Sequence, residues 1–494
     1  MTDKLRIVIT ASEAVPFAKT GGLADVAGAL PVHLEKLGHN VCLIMPYYRM
    51  AKKSRLHIED TGHAIVVQIS DKLVEGRIFR STLGDNVTVY LIRNDDYYDR
   101  PELYTTKEGD YTDNAERFIF YSKAVLEVLK KFNLKPDIIH CNDWQTGLIP
   151  VLLKYKEQDN KLFKHTATVF TIHNLAYQGL FWHLDMPLTN LSWDVFTPEG
   201  IEFFGKINLM KAGIVFADVI NTVSKKYSKE IQTPEFGCGL EGVLSGRSKD
   251  LYGIVNGVDY QRWNPQTDPF IKCKYSPTDM RGKKLCKEDL LLEFGLKNRR
   301  DVPVIGIISR LADQKGFDLI AGAIEDIMKL DIFFILLGTG SEKYHRLFKS
   351  IAEKYPQKVG VKLTFNNELA HKIEAGSDFF LMPSRYEPCG LNQLYSLKYG
   401  TIPIVRATGG LDDTITNYNQ KTKQGNGFSF KTYSQKAMLA KIKEALKVYH
   451  AKDEWRDLVK TCMELDYSWL RSAQSYEELY KRALTKKNSI PSSK

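Results

Sequence analysis

Apolar residues along the chain fall in short runs, separated by longer stretches in which apolar positions recur every three or four residues. "LRIVIT" is followed by "LADVAGALPVHLEKLG" and "NVCLIMP", and further on "PDIIHC", "TATVFTIH" and "ADVINTVS" repeat the short-run pattern. A short run suits a strand buried on both faces, and a longer amphipathic stretch suits a helix laid against it. Their alternation predicts β-α-β units on a parallel sheet. The rhythm restarts after "YGIVNGVDYQRWNP", where "VPVIGIISR", "IFFILLG", "VKLTF", "DFFLMPS" and "TIPIVRAT" follow one another with helical stretches between. Two doubly wound α/β domains are therefore expected, at 1–258 and 259–465, with a hinge near Asn256 to Asp259 and Pro265. Residues 466–494 have helical periodicity and no strand beside them, so a helix packing back on the first domain is expected, with "NSIPSSK" as a disordered tail.

Length and charge narrow this picture. A chain of 494 residues, 43% of them apolar, exceeds what a single core organises. The net charge of +10 suits an anionic ligand without identifying one. The basic residues are scattered: "KNRR" and "SKK" are short, and no basic arm, zinc-ligand array or Arg-rich helix accompanies them, so nucleic acid is not an expected partner. Seven dispersed cysteines form no CxxC pair, which predicts reduced thiols and no metal cluster. The N-terminal apolar run is too short for a signal peptide, and nothing approaches the roughly 18 apolar residues of a membrane span. A cytoplasmic chain without membrane contact is expected.

In open parallel sheets ligands bind beyond the carboxyl ends of the strands, so the turns there carry the candidate chemistry. In "VPFAKTGGLADVAG", Gly21 and Gly22 would let backbone amides approach an anion at a helix start, and Lys19 adds a full charge. Alone, the stretch also reads as a tight turn with a surface lysine, since it matches neither GxxxxGK[ST] nor GxGxxG. "RATGGLDDT" repeats the Gly-Gly pattern at Gly409 and Gly410 and is equally well a simple turn. In "IISRLADQKG", Arg310 and Lys315 bracket a strand exit, which suits a diphosphate. In "SRYEPCGLNQ", Glu387 can accept from sugar hydroxyls while amides beyond Gly390 face a phosphate; Cys389 reads more readily as a small buried apolar residue than as a nucleophile. "FTIHNLAYQG" and "HCNDWQTG" put His173, Asp143 and Trp144 at strand ends. The irregular spacing of His140, His173 and Asp143 argues against a metal there.

Taken together, "KTGGLADVAGALP", "HCNDWQTGL", "TIHNLAYQG", "NGVD", "SRLADQKG", "PSRYEPCGLNQLYSLKYGTIPIVRATGGLDDT" and "YSW" resemble the bacterial glycogen synthase and plant starch synthase family, in family order over nearly the whole chain. The resemblance implies two Rossmann-like domains facing a deep cleft, the GT-B type. It implies a retaining transfer of glucose from ADP-glucose to the non-reducing 4-hydroxyl of an α-1,4-glucan such as glycogen, releasing ADP without metal or other cofactor. By motif match, Lys19, Gly22, Asp25 and Asn256 would meet the donor, Arg310 and Lys315 its diphosphate, and Cys389, Gly390, Leu391 and Asn392 would line the donor turn. Glu387 would hold glucose hydroxyls, His173 would lie beside the reacting sugar, and Asp143 and Trp144 would serve the acceptor. Phe365, in "LTFNNELAH", stands where the family often has a tyrosine to stack on adenine. Asn142 and Gln145 replace histidines found in many members, and Tyr395 stands eight residues after Glu387, where the wider set of such enzymes has a second glutamate. A UDP-glucose-using enzyme of the same fold and a catalytically silent glucan-binding protein are the competing readings.

Overall fold

The computed structural model describes residues 4–106 and 108–489. The chain divides into two compact units. The first holds residues up to Val223, Ser228–Gly257 and the segment from Trp469; the second holds Ser224–Tyr227 and Val258–Ser468.

The first unit is built on strands β1 (Arg6–Thr10), β2 (Asn40–Pro46), β3 (Glu59–Ile69), β4 (Lys72–Leu83) and β5 (Val87–Arg93). After a two-residue pair, β6 (Thr105–Thr106) and β7 (Gly109–Asp110), come β8 (Ile138–Asn142) and β9 (Ala167–Ile172). Three short strands, β10 (Leu180–Trp182), β11 (Glu202–Phe203) and β12 (Lys206–Asn208), form a separate ribbon, and β13 (Val219–Thr222) and β14 (Leu251–Gly253) complete the unit. The main sheet runs β14-β13-β9-β8-β1-β2-β5-β4-β3. Its central strands are parallel and almost wholly buried, as their unbroken apolar runs require. The last two strands were not anticipated. β4 pairs antiparallel with β5, and β3 antiparallel with β4. Both alternate buried with exposed positions, so they obey the period of a sheet wet on one face rather than the solid apolar runs used to find the others.

Helix Trp469–Ser489 belongs to this unit. Asn488 and Ser489, assigned to the tail, in fact close the helix; residues 490–494 lie outside the described residues. A directional hydrogen-bond chain docks it. Asn221 Oδ1 can only accept, so the Thr171 hydroxyl donates to it and accepts from His140 Nε2 at 2.6 Å. His140 Nδ1 is then the acceptor for the Tyr480 hydroxyl at 2.9 Å. Ser472 Oγ adds a bond to Val255 O at 2.8 Å.

The second unit carries β15 (Val304–Ile308), β16 (Phe333–Leu337), β17 (Val359–Lys362), β18 (Phe379–Met382), β19 (Ile402–Arg406) and β20 (Phe428–Phe430). All are parallel, in the order β17-β16-β15-β18-β19-β20. Leu290, Val304, Phe333, Ile335, Ile373 and Phe380 fill one face of it.

His140 is fully enclosed, and burial pushes its imidazole down to about 3 from the usual histidine range near 6.5. Between those two values the unfolded chain binds a proton that the native state refuses, so this residue's contribution to stability is intact above about pH 6.5 and is lost on acidification. The stability gap between wild type and His140→Gln should therefore shrink by about 1.4 kcal/mol per pH unit as pH falls from 6 to 4. Urea unfolding of both proteins across that range checks this; a gap independent of pH would mean that His140 titrates normally when folded.

Candidate active site

In both sheets the strand order reverses direction at one point. In the first it lies between β1 and β8, in the second between β15 and β18. Loops leaving adjacent strands diverge there, which opens space at the carboxyl edge. Nearly every residue singled out from the sequence leaves from one of these two places or from the strand beside it.

The turn after β1 holds Lys19, Gly21 and Gly22, and helix Gly22–Lys36 starts in it. A Cβ added at Gly22 would meet nothing within 4 Å, so this glycine leaves open space rather than relieving a clash. Lys19 Nζ is held by both oxygens of Asp25, at 2.7 and 2.8 Å. The amides of this turn already have an anion: the buried Glu13 carboxylate accepts from Thr20 N, from Gly21 N at 3.2 Å and from the Thr20 hydroxyl. Burial raises the Glu13 carboxyl despite these bonds. Sequence reading missed Glu13 because it precedes the glycines by eight residues, outside any motif window.

From β8, Asn142 and Asp143 turn the chain sharply, with Asp143 in the left-handed region at φ 56°. Its carboxylate accepts from His173 N at 2.7 Å, tying the ends of β8 and β9 together, and burial lifts its carboxyl to about 7. Asn142 Nδ2 points at two carbonyls, Thr10 O at 3.1 Å and His140 O at 3.4 Å. That fixes the amide orientation, so Asn142 Oδ1 accepts from His173 Nε2 at 2.8 Å. His173 thus carries its proton on Nε2 and keeps Nδ1 as an acceptor, and burial pushes the imidazole down to about 3. Trp144 is buried edge-on against Phe118 and Phe181. Asn256, after β14, is buried with Oδ1 lacking a hydrogen-bond partner; Gln145 Oε1 is in the same condition.

In the second unit, the loop after β15 carries exposed Arg310 and half-buried Lys315, and Gly316 follows at φ 75°, where a Cβ would come within 2.0 Å of Pro383 O. The loop after β18 carries Glu387, which is buried. Lys315 Nζ meets Glu387 Oε2 at 2.6 Å, and Ser384 Oγ donates to the same oxygen at 3.1 Å. Arg310 reaches Gln314 Oε1 at 3.3 Å. Gly390 adopts φ 71°, Leu391 precedes helix Asn392–Tyr399, and Asn392 Nδ2 reaches back to Ile308 O at 2.8 Å, closing the β15 and β18 loops on each other. Cys389 is a buried thiol. The second Gly-Gly turn has a packing reason: a Cβ at Gly409 would lie 1.9 Å from Glu387 O, and Gly410 N donates to that oxygen at 3.1 Å. Phe365 is 81% exposed, between β17 and helix Asn367–Gly376 on the same carboxyl edge. Tyr395 is taken up structurally, stacked on Trp263 at 4.0 Å, whose other face stacks on His371 at 3.8 Å.

One edge thus offers buried carboxylates, a neutral imidazole with a free acceptor nitrogen and an indole; the other offers two cations, a buried carboxylate and a helix start. Among the described residues no group of three or more His, Cys, Asp or Glu is arranged to hold a metal ion, and no helix is long and apolar enough to cross a membrane.

Residues 6–246 match the starch synthase catalytic domain, and residues 292–459 match the group 1 glycosyl transferases. The glycogen synthase of Koribacter versatilis is 48% identical over 479 residues, 97% of this chain and 98% of that one. That of Fervidobacterium nodosum is 48% identical over 492 residues, 98% of this chain and 99% of its own. Among solved structures, the catalytic domain of starch synthase IV from Arabidopsis thaliana, bound to ADP and acarbose, superposes with a TM-score of 0.90 at 34% identity, covering 98% of this chain and all of that one. Sucrose-phosphate synthase from Thermosynechococcus elongatus, at 16% identity and a TM-score of 0.60 over 97% of this chain and 98% of its own, shares the fold alone. With the same two-unit GT-B architecture and near-complete coverage, the chain belongs to the glycogen and starch synthase family of glycosyltransferases.

Proposed function

We propose that the chain transfers glucose from ADP-glucose to the non-reducing 4-hydroxyl of an α-1,4-glucan, with retention of the α configuration and release of ADP. The observation that carries this reading is the cluster at the β15/β18 reversal, where the β15 loop supplies Arg310 and Lys315, Glu387 is buried against Lys315, and helix Asn392–Tyr399 starts from the loop that holds Glu387, tied back to Ile308 O. Cations beside a helix start suit a diphosphate, and a buried carboxylate suits sugar hydroxyls. The similarity to a starch synthase solved with ADP and acarbose supports the nucleotide and the glucan together.

In this reading charge grows on the departing diphosphate, and Arg310 and Lys315 stabilise it in place of a metal ion. The backbone at Cys389, Gly390, Leu391 and Asn392 lines the same turn, and Phe365 offers its exposed ring to adenine. Lys19, at the open turn of Gly22 and beside Asp25, supplies a further phosphate contact, and Asn256 offers its unpartnered carbonyl oxygen. His173 presents unprotonated Nδ1 to a sugar hydroxyl, and Asp143 and Trp144 shape the acceptor side. Glu387 holds hydroxyls on the leaving-group side, so substitution proceeds on one face of the sugar rather than through a glucosyl ester.

Radiolabelled glucose transfer onto glycogen, with ADP-glucose and UDP-glucose in parallel and with EDTA added, tests the reading. Incorporation from ADP-glucose that survives EDTA is expected. A preference for UDP-glucose would overturn the donor, and no incorporation from either would leave a silent glucan-binding protein.

Arg310 is exposed, so Arg310→Ala should barely move the melting temperature. Its kcat/KM for ADP-glucose should fall roughly ten- to a hundredfold, the usual worth of a charge-assisted phosphate contact. An unchanged kcat/KM would remove Arg310 from the donor site.

Asn142→Asp would set a carboxylate against His173 Nε2 and favour the imidazolium, protonating the Nδ1 that should accept. The acid limb of the kcat/KM profile should move to higher pH in this variant, whereas wild type, with His173 down at about 3, should show no histidine limb near neutrality. Superimposable profiles would show that the imidazole's protonation state does not matter to the reaction.

A further inference from the structure

Six of the fifteen large apolar side chains exposed among the described residues fall within residues 177–204. Chance would scatter them along the chain. The centre of this cluster is the ribbon β10-β12-β11. Trp182 lies opposite Lys206, and Lys206 opposite Phe203, so the three side chains share one face in a row across the strands. At strand spacing that row spans roughly 10 Å. Trp182 is 60% exposed.

The hairpin between β11 and β12 is a two-residue turn, Phe204–Gly205, with φ of 47° and 76°. Both central residues are left-handed, as a type I′ turn demands, and Asn-Gly is the favoured pair there. A phenylalanine in that position is strained, and its ring is 83% exposed, so neither backbone preference nor burial explains it. The Phe204 ring stands edge-on to Phe203 at 4.7 Å, which fixes its direction. Strain combined with exposure of an apolar ring marks a residue placed for contact with something else.

The opposite face of the ribbon is buried in the candidate acceptor machinery. Phe181, facing away from Trp182, meets Trp144 at 5.7 Å between ring centroids. Gly179 lets the two approach, since a Cβ there would lie 2.4 Å from the indole. The displayed face is therefore rigidly continuous with the strand-end loop of Asp143 and Trp144.

We propose that the row Trp182, Lys206, Phe203 and the Phe204 tip form a second glucan-binding site, on which the acceptor chain rests away from its reacting end. The inference depends on the acceptor being an α-glucan. Pyranose rings present apolar C–H faces to aromatic rings and hydroxyls around their edges; the row offers flat rings with a donor, Lys206, among them. A neutral polymer needs no charge complement, and continuity with Trp144 favours the acceptor over an unrelated protein partner.

Trp182→Ala and Phe204→Asn test this, with co-sedimentation on glycogen read separately from turnover. Each should weaken glycogen binding and raise the KM for glycogen by roughly three- to tenfold, as loss of an aromatic anchor does. With maltotriose, whose three rings leave little chain beyond the reacting end for a second site to hold, kcat/KM should stay within about twofold of wild type. Phe204→Asn installs the favoured turn pair, so its melting temperature should equal or exceed that of wild type while binding falls; this separates loss of contact from loss of fold. Unchanged co-sedimentation of the double variant would overturn the site, as would loss of self-association in sedimentation velocity with glycogen binding intact, which would make the face an interface between copies. Wild type that fails to transfer glucose would overturn the acceptor reading instead, and co-sedimentation would still report on the ribbon.

Discussion

A parallel sheet that winds outward in both directions must contain one pair of adjacent strands whose following loops part company, and the chain places its chemistry at both such points. At β1 and β8 the loops bring Glu13, Lys19, Asn142 and Asp143 to one edge; at β15 and β18 they bring Arg310, Lys315 and Glu387. Space there comes with a cost, because charged groups must be held in place without cancelling their use. The chain meets that demand by internal pairing. Lys19 rests on Asp25, Lys315 on Glu387, and the glycine-turn amides on Glu13. In the proposed reaction an incoming diphosphate is not attracted to bare cations. It exchanges places with carboxylates already present, so the cations are held in position beforehand and the net gain per contact is smaller than an isolated lysine would suggest.

Neutral groups are positioned with the same economy of motion. His173 is the clearest example, since its proton location follows from two carbonyls that never touch it. Thr10 O and His140 O turn the Asn142 amide, and the amide turns the imidazole. A histidine in the place of Asn142 would bring a ring with a tautomer of its own to settle, whereas an amide offers its oxygen in every protonation state. Asp143, held at a left-handed φ and bonded to His173 N, fixes the backbone under the same ring.

Much of this was legible in the sequence because solid apolar runs, glycine turns and strand-end residues are local signals. Lys315 and Glu387 were singled out separately, and the structure joins them at 2.6 Å. What escaped was non-local or obeyed another period. β3 and β4 alternate and so hide from a search for solid runs. Glu13 acts on a turn that begins several residues later, and the role of Asn142 depends on carbonyls from β1 and β8. Gly409 and Gly410 were legible as a turn but not as packing against the backbone of Glu387, which only the fold reveals.

Exposed aromatic rings illustrate how little one observation carries and how much two can. Phe365 and Phe204 are about equally bare, at 81% and 83%. Single exposed apolar residues are ordinary on protein surfaces, so exposure says nothing by itself. Phe365 gains meaning only from its place on the carboxyl edge of the second sheet. Phe204 gains it from its backbone, because a hairpin tip with φ of 47° is a site where asparagine or glycine would relieve strain. A chain that keeps a strained phenylalanine there forgoes stability that a single substitution would restore. Fold stability does not account for such a residue, and the row of Trp182, Lys206 and Phe203 beside it, backed by Trp144, gives its exposed ring a surface to extend.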